Sequence, residues 1–132
     1  MVNTGAICVC ALLINEGKTV EDFQKFYMKA SNASRADIDL PLYKEEALTG
    51  NQNHALKSLM LANGNFPKRD NEEKTKKLAD DGLDLYFIIC SMLVDVEGLA
   101  RFGAMLANDG INPSSGERCL SPDKVKATVT VM

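Results

Sequence analysis

The run AICVCALLI, residues 6 to 14, sets nine apolar residues in a row with no charge to mark an outer face. A helix that is apolar on nearly every side has to be buried, so the rest of the chain must supply surfaces that close around it. Glu16-Gly17 provides the stop. A short strand fits the same residues. The run is far below the roughly 18 residues that a membrane span requires, and it lacks the basic flank of a secretion signal. No membrane partner is therefore expected.

The remaining apolar residues recur mostly at helical spacing. Thr19 followed by Asp22 resembles a capping box, and Val20, Phe23, Phe26 and Ala30 then mark one face of a second helix running to about Lys29. Ser31 to Leu42 is polar, contains Pro41, and reads as an irregular connection. Helical propensity returns from Gln52 to Ala62 and breaks at Asn63-Gly64-Asn65. Phe66 to Asp81 is mostly charged and reads as a solvated surface excursion. Leu83 to Val94 is expected to form a buried helix. Asp95 caps another that carries Val96, Leu99, Ala100 and Leu106 on one stripe and closes at Asn108-Asp109-Gly110. Ser121-Pro122 opens a last helix, after a turn-rich loop from Pro113 to Arg118. About six helical segments without a hairpin signal or an internal repeat predict an all-α chain.

With 132 residues, 45 % of them apolar and 25 % charged, the chain has the composition of one soluble globular domain. A net charge of −3 and a pI near 5.1 give no general attraction to phosphate backbones, so no nucleic-acid partner is expected. Cys8, Cys10, Cys90 and Cys119 follow neither a zinc-site nor a disulfide pattern. They read as reduced core thiols, which favours an intracellular setting. His54 is the single histidine and has no second imidazole or neighbouring cysteine, so it reads as a surface or interface residue. No metal and no cofactor are expected.

One short stretch carries chemistry. EALTGNQNHA, residues 46 to 55, sets the carboxylate of Glu46 seven residues before the amide of Asn53. Because Thr49-Gly50-Asn51 is poor helix interior, the expected geometry is a carboxylate on a loop facing the first turn of a helix. Such a pair can grip a small zwitterion: a carboxylate accepts from an ammonium, and amides donate to a carboxylate. Taken singly, Asn3 reads as well as a helix cap, Asn53 as a helix-start residue, Glu46 as a solvated acid and Tyr86 as a core aromatic.

MVNTGAI at 1 to 7, EALTGNQNHAL at 46 to 56, LDLYFIICS at 83 to 91 and LANDGINPSSGERCLSP at 106 to 122 share an order and spacing with known proteins. In these four segments the chain resembles the serine-dependent glutaminases, whose fold is similar to that of the serine β-lactamases. The likeness looks closest to the animal kidney-type and liver-type enzymes. It implies that residues 1 to 132 are the helical subdomain of an α+β glutaminase catalytic domain. It also implies that Asn3, Glu46, Asn53 and Tyr86 bind the amino-acid end of L-glutamine. Glu46 is chosen over Glu45 because it keeps the seven-residue separation from Asn53. Departures from the family pattern are Gln52 for an arginine, Lys44-Glu45 before the glutamate, and Asp109 for a glycine.

The family's nucleophile lies in an S-x-x-K motif upstream of the VN-x-G asparagine, and its glycine-rich strand segment would follow Met132. The resemblance thus implies that the isolated chain holds no catalytic residue and is inactive, contributing substrate-binding groups to a complete enzyme. Ser121-Pro122-Asp123-Lys124 does match S-x-x-K. With 7 serines and 11 lysines, however, chance supplies about 0.6 such matches. The resemblance further implies a homo-oligomer, dimer or tetramer, paired through the helix from Gln52 to Ala62, where Leu56, Leu59 and Met60 form the expected apolar patch. It implies a mitochondrial or cytoplasmic location for the full-length enzyme. The alternatives are a non-catalytic helical oligomerisation module derived from a glutaminase and, more remotely, an unrelated helical interaction domain.

Overall fold

A computed structural model describes residues 3 to 132. Among the described residues there are seven α-helices and no strand: α1 (Asn3–Asn15), α2 (Val20–Ser31), α3 (Leu40–Thr49), α4 (Asn51–Ala62), α5 (Glu72–Cys90), α6 (Val96–Ala107) and α7 (Pro122–Val131). Two isolated antiparallel bridges, Ile38 with Met92 and Ile111 with Arg118, are the only extended pairings among the described residues. The all-α expectation holds.

The chain divides into two compact units. The first takes in Met1–Val20 and Ile38–Met92, and so contains α1, α3, α4 and α5. Here α1 lies along α5, α4 packs against both, and α3 packs against α5. The core is Ile7, Ala11, Met60, Phe66, Leu78, Ala79, Leu83 and Phe87. α1 and α5 approach closely: a Cβ added at Gly82 would come within 2.7 Å of the Ala11 side chain and 2.9 Å of its Cα. Two polar links tie the outer helices to α5. Tyr43 donates to Asp84 at 2.6 Å, and Lys57 pairs with Asp80.

The second unit takes in Glu21–Asp37 and Leu93–Met132. Phe102 of α6 meets Phe26 and Tyr27 of α2, with ring centroids 6.2 Å apart in each pair. The fully buried Asn112 donates to the carbonyl of Lys29 at 2.8 Å and accepts from the Ser114 amide at 2.9 Å, which satisfies a polar group inside the unit.

Several local expectations change. Ser31 to Leu42 is not wholly irregular, because α3 begins inside it. Asp39 accepts from the Leu42 amide at 3.0 Å, and Pro41 sits in the first turn, where a missing N–H costs nothing, so the supposed breaker is part of a start signal. The charged stretch after Phe66 is likewise the first half of α5. Asn71 caps it through the Lys74 amide at 2.8 Å, Glu72 and Glu73 suit the positive end of the helix dipole, and Lys77 pairs with Asp81 on the outer face while Leu78 and Ala79 face the core. The helix ends at Cys90, leaving Leu93 and Val94 exposed.

Asp95 caps α6 as expected, but Val96 and Leu99 are exposed and Gly98 and Met105 face inward, so the buried stripe is displaced from the expected one. In α1, Ile7, Cys10 and Ala11 are buried while Val9 and Leu12 are about half exposed, so the helix is central but open on one side. All four cysteines are free. Cys10 alone is buried, Cys8 and Cys119 are half-buried, and Cys90 is exposed, which corrects the reading of four core thiols.

Candidate functional site

The first unit holds all four expected site residues. Asn3 is the first residue of α1 and Asn53 lies in the first turn of α4. The Asn3 side-chain amide donates from Nδ2 to Asn53 Oδ1 at 2.9 Å, joining residues fifty positions apart. Tyr86 sits half-buried on α5, one turn before Cys90 and therefore on the same face. Its phenol is pushed up to about 12 by burial first, then by a side-chain hydrogen bond with Cys90, then by the charges of Cys90, Glu46 and Cys10. Glu46 is thus close enough to Tyr86 for its charge to be felt there.

Glu46 is exposed and lies on the last turns of α3, which overturns the expectation of a loop carboxylate. α3 and α4 are nearly continuous, separated by Gly50 alone. Gly50 has an ordinary negative φ of −69°, so it is required for space: a Cβ there would lie 2.8 Å from the Phe87 ring and 2.6 Å from the Glu46 carbonyl oxygen. The glycine lets the α3–α4 corner press onto the buried Phe87, next in sequence to Tyr86.

Sequence reasoning missed two neighbours of the site. Cys90, one turn along α5, is among the groups that push the Tyr86 phenol up. His54, read as a surface or interface residue, is half-buried: its Nε2 lies 2.9 Å from the Ala47 carbonyl oxygen and its ring centroid 5.6 Å from that of Phe87. Adjacency to Asn53 was the one signal pointing to it.

Among the described residues no group of three or more histidine, cysteine or acidic side chains could hold a metal ion, and no helix is long and apolar enough to cross a membrane. A cavity of about 860 Å³ lies between the end of α4 and the start of α5, lined by Leu61, Phe66, Arg69, Glu73 and Lys76 among others, and contains none of the four expected residues. Ser121 occupies the N-cap position of α7 without a side-chain cap bond, and no hydrogen bond joins it to Lys124 among the described residues. On α4, Leu59 is exposed but Met60 is buried in the core and Leu56 is half-buried, so the expected apolar patch is smaller than its sequence suggests.

What the asparagine, glutamate and tyrosine groups can do is bind. Asn3 keeps one amide hydrogen beyond the bond to Asn53, Asn53 keeps two, Tyr86 offers a hydroxyl, and Glu46 offers an anionic acceptor.

Comparison with known proteins gives these residues a family context. The model of the family described as Glutaminase matches residues 1–132. "Glutaminase 2" of Clostridium perfringens (strain 13 / Type A) is 37 % identical over 134 residues, covering 100 % of this chain and 41 % of its own length. The glutaminase of Clostridium botulinum (strain Kyoto / Type A2) is 34 % identical, with the same 100 % and 41 % coverage. The chain therefore spans about two fifths of the length of these relatives. Among solved structures, Mglu in its glutamate form superposes with a TM-score of 0.83 at 26 % identity, covering 99 % of this chain and 28 % of Mglu. A Bacillus subtilis glutaminase in covalent complex with 5-oxo-L-norleucine shares the fold, with a TM-score of 0.80 at 21 % identity over 99 % of this chain and 42 % of that one. On the family match across its whole length and the clostridial identities, this chain belongs to the glutaminase family.

Proposed function

We propose that the chain is the substrate-holding part of an L-glutaminase, which converts glutamine and water to glutamate and ammonia. The four residues grip the amino-acid end: Glu46 accepts from the α-ammonium, while Asn3, Asn53 and the Tyr86 hydroxyl donate to the α-carboxylate. The reading is supported by the 2.9 Å bond between Asn3 and Asn53, which joins the starts of α1 and α4. None of the four acts as a nucleophile. Their contribution is to hold the ligand so that the distal amide is presented in one orientation. Support for a closer tie to the animal kidney-type and liver-type branch, and for the intracellular location and homo-oligomeric state that go with it, comes from MVNTGAI and LDLYFIICS.

The test is ammonia release by the full-length protein that carries this chain. Glu46→Gln keeps the shape and removes the charge. Loss of a charge-assisted hydrogen bond of about 1.5–3 kcal/mol corresponds to a roughly ten- to hundredfold fall in kcat/KM, with the melting temperature little changed because the side chain is exposed. Glu45→Gln should do far less. Equal small effects at both positions would remove Glu46 from the site, and a larger loss at Glu45 would shift the register by one residue. Residues 1 to 132 alone are expected to release no ammonia. Turnover that Ser121→Ala abolishes would instead make Ser121 a nucleophile. A second reading, a non-catalytic pairing module, is favoured by the exposed Leu48 and Leu59 on α3 and α4. It predicts full-length protein that self-associates and leaves glutamine intact.

A further inference from the structure

We propose that His54 is a positioning residue for glutamine, a strap that ties α3 to α4 so that Glu46 and Asn53 face one ligand at a fixed spacing. This rests on the site reading above.

The two helices that carry the pair meet at a corner of one residue, Gly50. A single residue leaves two soft torsions, so the corner needs something else to fix its angle. Ala47, one residue past Glu46, lies in the last turn of α3, where carbonyls have no partner within the helix. His54, one residue past Asn53, reaches back over the corner to that carbonyl at 2.9 Å. A carbonyl oxygen only accepts, so Nε2 carries hydrogen, and the imidazolium would donate there as well. The strap therefore closes a loop whose two ends each adjoin a proposed glutamine ligand.

The ring is also seated. Phe87 is 1 % exposed, its centroid is 5.6 Å from that of His54, and its edge occupies the space that a Cβ on Gly50 would need. The same ring lies 5.8 Å from that of Tyr86. Corner, strap and tyrosine thus share one buried support. His54 itself is assigned no contact with glutamine; it acts through Glu46 and Asn53.

The experiment is steady-state kinetics on the full-length protein with His54→Ala, His54→Gln and, as a reference, Glu46→Gln. Glutamine's grip at its amino-acid end is remote from the scissile amide, so loosening it should raise KM about tenfold and leave kcat within about threefold. The Gln amide reaches about as far as Nε2 and donates equally, so His54→Gln should hold KM within about threefold of wild type. If His54→Ala does not fold, His54→Leu keeps the contact with Phe87, removes the donor and takes its place in the comparison. The strap is overturned if the donor-less variant keeps the wild-type KM, if Gln fails to restore it, or if the loss falls in kcat alone. An unchanged KM in Glu46→Gln overturns the site reading. A raised KM there beside a normal one in His54→Ala sinks only the strap.

Discussion

Tyr86 stays a hydrogen-bond donor far above neutral pH. Burial, the bond with Cys90 and the charges of Cys90, Glu46 and Cys10 all disfavour the phenolate, against an ordinary value of 10.0. Because the folded value is raised to about 12, its contribution to stability is present below pH 10 and is lost as pH rises from about 10 toward 12, where the unfolded chain ionises first. Ultraviolet difference titration of wild type against Tyr86→Phe should show one phenol ionising near 12. Ionisation near 10 would mean that the tyrosine is not enclosed as described. Asp109 offers a second test at this scale. Its φ is +52°, in the region that favours glycine, and the family motif places a glycine there. Asp109→Gly should stabilise by roughly 0.5–1 kcal/mol, seen as a higher denaturation midpoint, and a lower midpoint would show that the aspartate is not strained. Individual residues were legible only through their order: nothing about Asn3 alone points away from a helix cap. Of their neighbours, Cys90 follows Tyr86 by one helical turn on α5 and so has a spacing signal, whereas the bond of His54 to Ala47 depends on the corner between α3 and α4 and carries none.

At the scale of the element, six of the seven helices were readable, while α3 and the extent of several others were not. Pro41 looked like a breaker because its effect depends on position; with Asp39 capping, it sits in the first turn and helps start α3. That error also moved Glu46 from helix to loop. The charged start of α5 hid its apolar face, since Leu78 and Ala79 are only two buried positions among lysines and acids. Packing between elements can be tested with two glycines of opposite surroundings. Gly82→Ala should cost about 1–3 kcal/mol, because its Cβ would meet Ala11 at 2.7 Å on a helix that cannot easily move. Gly103→Ala, in the interior of α6 with nothing within 4 Å, should instead stabilise by about 0.5–1 kcal/mol. Urea unfolding reads both. Equal effects at the two positions would contradict the close approach of α1 and α5.

At the scale of the whole molecule, the chain forms two compact units, of which the second is built from Glu21–Asp37 and Leu93–Met132. A discontinuous unit leaves no linker or compositional break to find. All four proposed ligand residues fall within the first unit, so the proposed site would be built from α1, α3, α4 and α5 alone. The most direct measurement is a crystal structure of the full-length protein with L-glutamate bound. It should place the α-ammonium at about 2.7–2.9 Å from the Glu46 carboxylate and the α-carboxylate on the amide of Asn53 and the hydroxyl of Tyr86. Glutamate found in the cavity between α4 and α5 beside Arg69 and Lys76, or bound with Glu46 turned to solvent, would contradict it.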